Sequence, residues 1–285
     1  MSGGVQADRA DPTFFDDFSA GQLDHSKWNV RTTGRVVNDE LQAYVDSSET
    51  VYFEPGGAQA GGNVLVLHSR YRPGFETEDG QAFDFLSGRI DTRDRFAFRY
   101  GRASARIQLP AGTGLWPAFW AMGPGRWPAT GEIDIMEYVG EPGWVSSAVH
   151  GPGYSGEAGL VNKLYFPAGD GATGWHTYTL DWTPDRLLFE VDGATVYRVT
   201  RPMAEFFGSW VFDNEKFLIL NLALGGTYPF KTNGVRSPYY GMSEETVDRI
   251  KRDEARVLID WVRVDTDMEP AGLVASPDGP MKDED

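Results

Sequence analysis

Cysteine is missing from the 285 residues, which rules out disulfides, thiolate nucleophiles and thiolate-bound zinc and leaves the redox compartment open. Basic residues are few, 26 Lys and Arg against 42 Asp and Glu, for a net charge of −16. Nucleic acid, heparin-like chains and anionic membranes all require basic patches, so no nucleic-acid or membrane partner is expected. A neutral substrate fits this balance, and the charge also serves solubility alone. No apolar stretch is long enough to span a bilayer, and the first eleven residues lack the apolar run of a secretion leader. The expectation is a soluble monomer, secreted with the help of a leader that is not in this sequence. Also missing are a phosphate-binding glycine loop, a paired-histidine metal motif and a Gly-x-Ser-x-Gly elbow.

What the chain has is turn residues and aromatics. Its 34 Gly and 17 Pro punctuate it about every ten residues, the spacing of short strands joined by turns, and helical periodicity is scarce. Strands are expected at 63–69, 101–109, 118–122, 132–138, 146–150, 177–182, 186–191, 195–199, 217–224 and 255–264, which means an all-β sandwich or barrel. Asp192-Gly193 between two apolar runs is a type I′ hairpin turn. Only 202–207 and 243–253 read as helical, the latter opening on a Ser243-Glu-Glu cap. Polar ends at 1–11 and 266–285 read as loose tails around one domain at 12–265.

The chemistry concentrates in Gly131-Glu-Ile-Asp-Ile-Met-Glu-Tyr-Val-Gly140. Side chains alternate along a strand, so Glu132 and Asp134 share a face while Glu137 faces away. A β-bulge near Ile135 and Met136 would return Glu137 to the face of the other two. Like charges in a row along one strand face repel, so such a cluster calls for a function. Two carboxyl groups about 5 to 5.5 Å apart are what retaining glycoside hydrolysis requires. Asp134, placed between them, would help hold Glu137 protonated as general acid while Glu132 stays available as nucleophile.

Trp116, Trp120, Trp127, Trp144 and Tyr154 gather around this strand, and flat rings stack on sugar faces. Each is equally at home in a core, and Phe119 is assigned there. His150, on the segment after the acidic strand, is placed to touch substrate or tune the carboxylates, although lone histidines are more often structural. Asn38, Arg89 and Asn221 are hydrogen-bonding groups that suit either sugar hydroxyls or internal networks. Asp260 interrupts the apolar run Val257-Leu-Ile-Asp-Trp-Val262 and needs a cation, either calcium or an arginine, or backbone donors.

These segments together resemble glycoside hydrolase family 16, in particular its laminarinase-like endo-β-1,3-glucanases. Asn38-Asp-Glu-Leu-Gln42, Ser87-Gly-Arg-Ile90, Tyr100-Gly-Arg102, Ala105-Arg-Ile-Gln-Leu-Pro110, Gly114-Leu-Trp-Pro-Ala-Phe-Trp120, the acidic segment and Leu220-Asn-Leu-Ala-Leu-Gly-Gly226 follow the family's order. The resemblance implies a jelly-roll β-sandwich of two antiparallel sheets with a concave substrate cleft. It also implies Glu132 as nucleophile, Asp134 as assisting carboxylate and Glu137 as acid/base. The extra Met136 is similar to the bulged version of the motif in laminarinase-like branches. Trp116, Trp127, His150, Arg89 and Asn38 are similar to cleft residues. A structural calcium is implied on the opposite face, at Asp260, Asp17 and a backbone oxygen near Gly62. Segments 72–85 and 151–174 have no family standard, and they leave open mixed-linkage glucan, a galactan, or glucan binding without turnover.

Overall fold

The computed structural model describes residues 12–32, 36–167 and 169–266. The tails expected at 1–11 and 266–285 lie outside these residues except for Thr266. The first strands are β1 (Phe14–Asp16), β2 (Asn29–Val30), β3 (Gln42–Tyr44), β4 (Val51–Pro55), β5 (Asn63–His68) and β6 (Arg70–Glu76). Then come β7 (Ala82–Ser87), β8 (Arg89–Asp91), β9 (Gly101–Gln108), β10 (Leu115–Met122), β11 (Glu132–Glu137) and β12 (Trp144–His150). The last are β13 (Leu160–Tyr165), β14 (Trp175–Thr183), β15 (Arg186–Val191), β16 (Ala194–Thr200), β17 (Phe217–Leu224) and β18 (Arg256–Asp265). Three short helices intervene: α1 (Arg201–Phe207), α2 (Thr227–Asn233) and α3 (Glu244–Lys251).

Two antiparallel sheets form the sandwich. The front sheet runs β13-β12-β11-β10-β17-β8-β2, and the back sheet runs β16-β15-β14-β9-β18-β5-β4, with β1 added to β18. A third, small sheet, β3-β7-β6, holds a parallel pair between β3 and β7. The jelly-roll architecture is as expected; the small sheet is additional, and it turns much of 72–85 from a loop into the paired strands β6 and β7.

Alternation places the core. Phe119, Ile133, Leu218, Leu220 and Leu222 from the front sheet meet Ala105, Ile107, Leu180, Phe189 and Val262 from the back, all at most 1% exposed. Asp192 and Gly193 sit at φ 52° and 81°, as the predicted type I′ turn demands, and only glycine enters that region without cost. Thr200 caps α1 and Ser243 caps α3, each side-chain oxygen accepting a backbone N–H. On the back sheet the two ends of the described chain meet: β1 pairs with β18, and the Thr13 and Thr266 hydroxyls are 2.7 Å apart.

Candidate active site

The predicted bulge is present on β11. Asp134 stands opposite Trp120 of β10 and Ala148 of β12, and Glu137 stands opposite Ala118 and Ser146. Three steps on β11 are thus matched by two on each neighbour, and Ile135 has no partner in either ladder. Its carbonyl is not left bare, because the Ser147 hydroxyl donates to it at 2.9 Å. Ile135 and Met136 are both buried, and Glu137 returns to the outer face with Glu132 and Asp134.

That face is walled. The Trp127 indole N–H donates to Glu132 Oε2, and the Trp116 indole N–H donates to Glu137 Oε1 at 3.0 Å. Tyr228 of α2 stands edge-on to Trp116 and reaches the Ser146 hydroxyl at 3.0 Å. His150, opposite Glu132 in the ladder, brings Nε2 to 3.2 Å from Asp134 Oδ2. Gly159 permits this pose: a Cβ there would lie 2.4 Å from His150 Cε1. Ligand atoms of Glu132, Asp134 and His150 all fall within 4.8 Å of one another.

Burial governs the protonation of all three acids. It pushes Glu132 up to about 8, helped by the neighbouring Asp134 charge and opposed by His150 and the Trp127 N–H. It pushes Glu137 up to about 7, opposed by His150 and the Trp116 N–H. Asp134 is held well above the usual carboxylate range by burial first and by Glu137 second. The expected asymmetry, in which an Asp134–Glu132 hydrogen bond and the field of the cluster keep Glu137 protonated while Glu132 stays available, is corrected: desolvation raises every member, Glu132 to about 8 and Glu137 to about 7. A cluster that holds protons at neutral pH is equipped for proton transfer.

Of the other candidates, Trp127 is 44% exposed at the rim, its ring 6.3 Å from His150. Trp120 lies further along the same face, with its N–H on Asn221 Oδ1 at 2.7 Å. Asn221 in turn donates to the Tyr44 hydroxyl at 3.0 Å, so its amide is committed to orienting Trp120. The Arg89 guanidinium stacks 5.2 Å from the Trp120 ring centre. Asn38 sits at a turn with φ 54°, its side chain on Glu40 and its carbonyl accepting from Thr227 N. Trp144 and Tyr154 are core residues, 6% and 0% exposed, and offer no ring face to a ligand.

Sequence reasoning missed Tyr228, hidden in Gly225-Gly-Thr-Tyr228 directly after a family-like segment, and Lys216. Lys216 is fully buried, and its ammonium donates to Thr130 O at 2.7 Å, Asn214 Oδ1 at 2.6 Å and Val211 O at 3.3 Å. Burial pushes its pKa down to about 7. It ties the segment carrying Trp127 to the segment before β17, two residues ahead of Glu132.

The expected calcium ligands have protein partners. Asp260 is paired with the Arg106 guanidinium, which also donates to Gln59 O at 2.8 Å. Asp17 accepts from the Ser19 hydroxyl and N–H, and Gly62 O accepts from Gly56 N. With a guanidinium already neutralising Asp260, this donor set does not fit a cation as it stands.

Residues 38–248 match the family described as Glycosyl hydrolases family 16. The chain is 33% identical to a Rhodothermus marinus beta-glucanase over 93% of its own length and 89% of that protein. It is 33% identical to the glucan endo-1,3-beta-glucosidase A1 of Niallia circulans over 78% of this chain, spanning only 34% of that protein. Its fold superposes on the laminarinase catalytic domain of Thermotoga maritima with a TM-score of 0.76 at 32% identity, covering 91% of this chain and 99% of that domain. With the bulged acidic strand in place, the chain belongs to glycosyl hydrolases family 16.

Proposed function

We infer that the protein is an endo-acting, retaining β-1,3-glucanase that cleaves laminarin-type glucan through a glycosyl-enzyme intermediate. The observation that carries the reading is the bulge at Ile135, which gathers Glu132, Asp134 and Glu137 on one walled face with an indole N–H on each glutamate. In the first step a Glu132 carboxylate oxygen bonds to the anomeric carbon while the Glu137 proton passes to the glycosidic oxygen, and the leaving chain departs. In the second, the Glu137 carboxylate takes a proton from water, the water oxygen bonds to the anomeric carbon, and Glu132 is released as carboxylate. Asp134 shares a side-chain hydrogen bond with Glu132, so a proton held on Asp134 leaves Glu132 free to attack as carboxylate and eases its later departure, and His150 keeps Asp134 in place. The Trp127 N–H stabilises the ionised Glu132 that the first step consumes.

Every group in these steps comes from one chain, which supports action as a monomer. The polymeric substrate supports action outside the cell. Glu132→Ala and Glu137→Ala are expected to lower reducing-end release from laminarin by about 10³-fold or more with unchanged circular dichroism. Nuclear magnetic resonance of the first-formed product is expected to show the β-anomer. Full activity in either variant, or an initial α-product, would refute the assignment.

A further inference from the structure

Register carries the three acids across the front sheet. Glu137 faces Ala118, Ala118 faces Asn221, and Asn221 faces Arg89. In the next row Asp134, Trp120, Ile219 and Asp91 face one another in turn. The third row runs Glu132, Met122, Phe217, and there the Arg93 guanidinium lies 4.6 Å from the Phe217 ring centre. Three strands from the acids, about 14 Å at about 4.8 Å per strand, the same face therefore presents Arg89, Asp91 and Arg93. A depression of ≈ 250 Å³ opens there, lined by these three residues with Arg31 and Thr32.

Only one of these arginines is ion-paired among the described residues. Arg31 takes up Asp91 through Nε and Nη2, and Asp91 also accepts from Asn29. Among the described residues, Arg89 and Arg93 form no ion pair with a carboxylate, and Arg89 Nε is buried without a hydrogen-bond partner. Glu40, the acid that feels Arg89, has its own partners in Asn38 and Gln42. Both free guanidiniums rest on aromatic rings, which fixes their planes and leaves N–H edges available to a planar or tetrahedral anion. Two guanidiniums without an ion-pair partner among the described residues thus sit at one end of a groove, with Glu40 and Asp94 acting on this cluster only at longer range.

We propose that this end of the groove is a subsite for an anionic substituent on the glycan, a carboxylate or a sulfate ester, carried several sugar units from the bond that is cut. The inference rests on the glucanase reading and narrows its substrate class. A densely charged polymer would be repelled by the net charge of −16, whereas a neutral chain bearing isolated acidic groups meets attraction here.

The test compares neutral laminari-oligosaccharides with the same oligosaccharides bearing one terminal glucuronate or one sulfate ester. Binding is measured by calorimetry on the Glu132→Gln protein, and turnover on the wild type. At low ionic strength the charged ligand is expected to bind roughly threefold tighter than the neutral one. High salt, or Arg93→Gln, is expected to bring that ratio to about one. A gain for either ligand supports the subsite and names the group it takes. Equal or weaker binding of both charged ligands, or an advantage that survives Arg93→Gln, overturns it. Wild-type cleavage of neutral laminarin reports separately on the glucanase reading, so each failure is distinguishable.

Discussion

Glu132 carries the clearest thermodynamic signature of the site. A carboxyl whose pKa moves from 4.5 unfolded to about 8 folded keeps its proton in the native state where the unfolded chain has lost it. The native state then binds more protons between those values, so stability falls as pH rises from 4.5 through about 8. Glu132→Gln removes this penalty. Its melting temperature is expected to exceed that of the wild type by several degrees above pH 8 and to match it near pH 4, as differential scanning calorimetry would read; a constant offset across pH would refute the linkage. The residue types at 132, 134 and 137 were legible because acids are rare in strands. Their shared protonation was not, since it depends on how deeply Trp116, Trp127 and His150 enclose them.

At the scale of elements, β11 functions because one residue is out of step with its neighbours. Deleting Ile135 would remove the extra residue and leave Glu132, Asp134 and Glu137 at alternate positions of a regular strand, all on the outer face. The expected result is retained laminarin hydrolysis with a shifted melting temperature; a folded but inactive variant would show that the bulge itself is required. Lys216 braces the segment before β11, and Lys216→Met would leave Asn214 Oδ1 without its donor and Thr130 O and Val211 O with Asn214 Nδ2 alone. A loss on the order of 3 kcal/mol is expected in urea unfolding; a change of a few tenths would deny the brace.

Ten strands and two helices could be read from apolar alternation, the Asp192-Gly193 turn and the Ser243 cap. The two- and three-residue strands β1, β2, β3 and β8 are too short to show a period. β6 buries none of its residues and reads as loop, and α2 follows Gly225-Gly226 and contains Pro229, which read as turn chemistry.

For the molecule as a whole, the Arg106–Asp260 pair joins β9 to β18 at the middle of the back sheet. It supplies internally the positive charge that a buried carboxylate requires, so the melting temperature is expected to stay constant on adding a chelator. A rise of several degrees with calcium would show that Arg106 yields Asp260 to the ion. The net charge was legible at once and argues against polyanions in general, yet it concealed the unpaired arginines beside β8, because a sum over the chain carries no position.

Thr13 and Thr266 meet behind the groove rather than beside it. A tether joined at Thr13 or at Thr266, whether a fused module, an affinity handle or a bead, would attach at the same spot on the rear wall. Immobilised in this way the protein would present its working side outward, and two such attachments would compete with each other for room before either obstructed a polysaccharide.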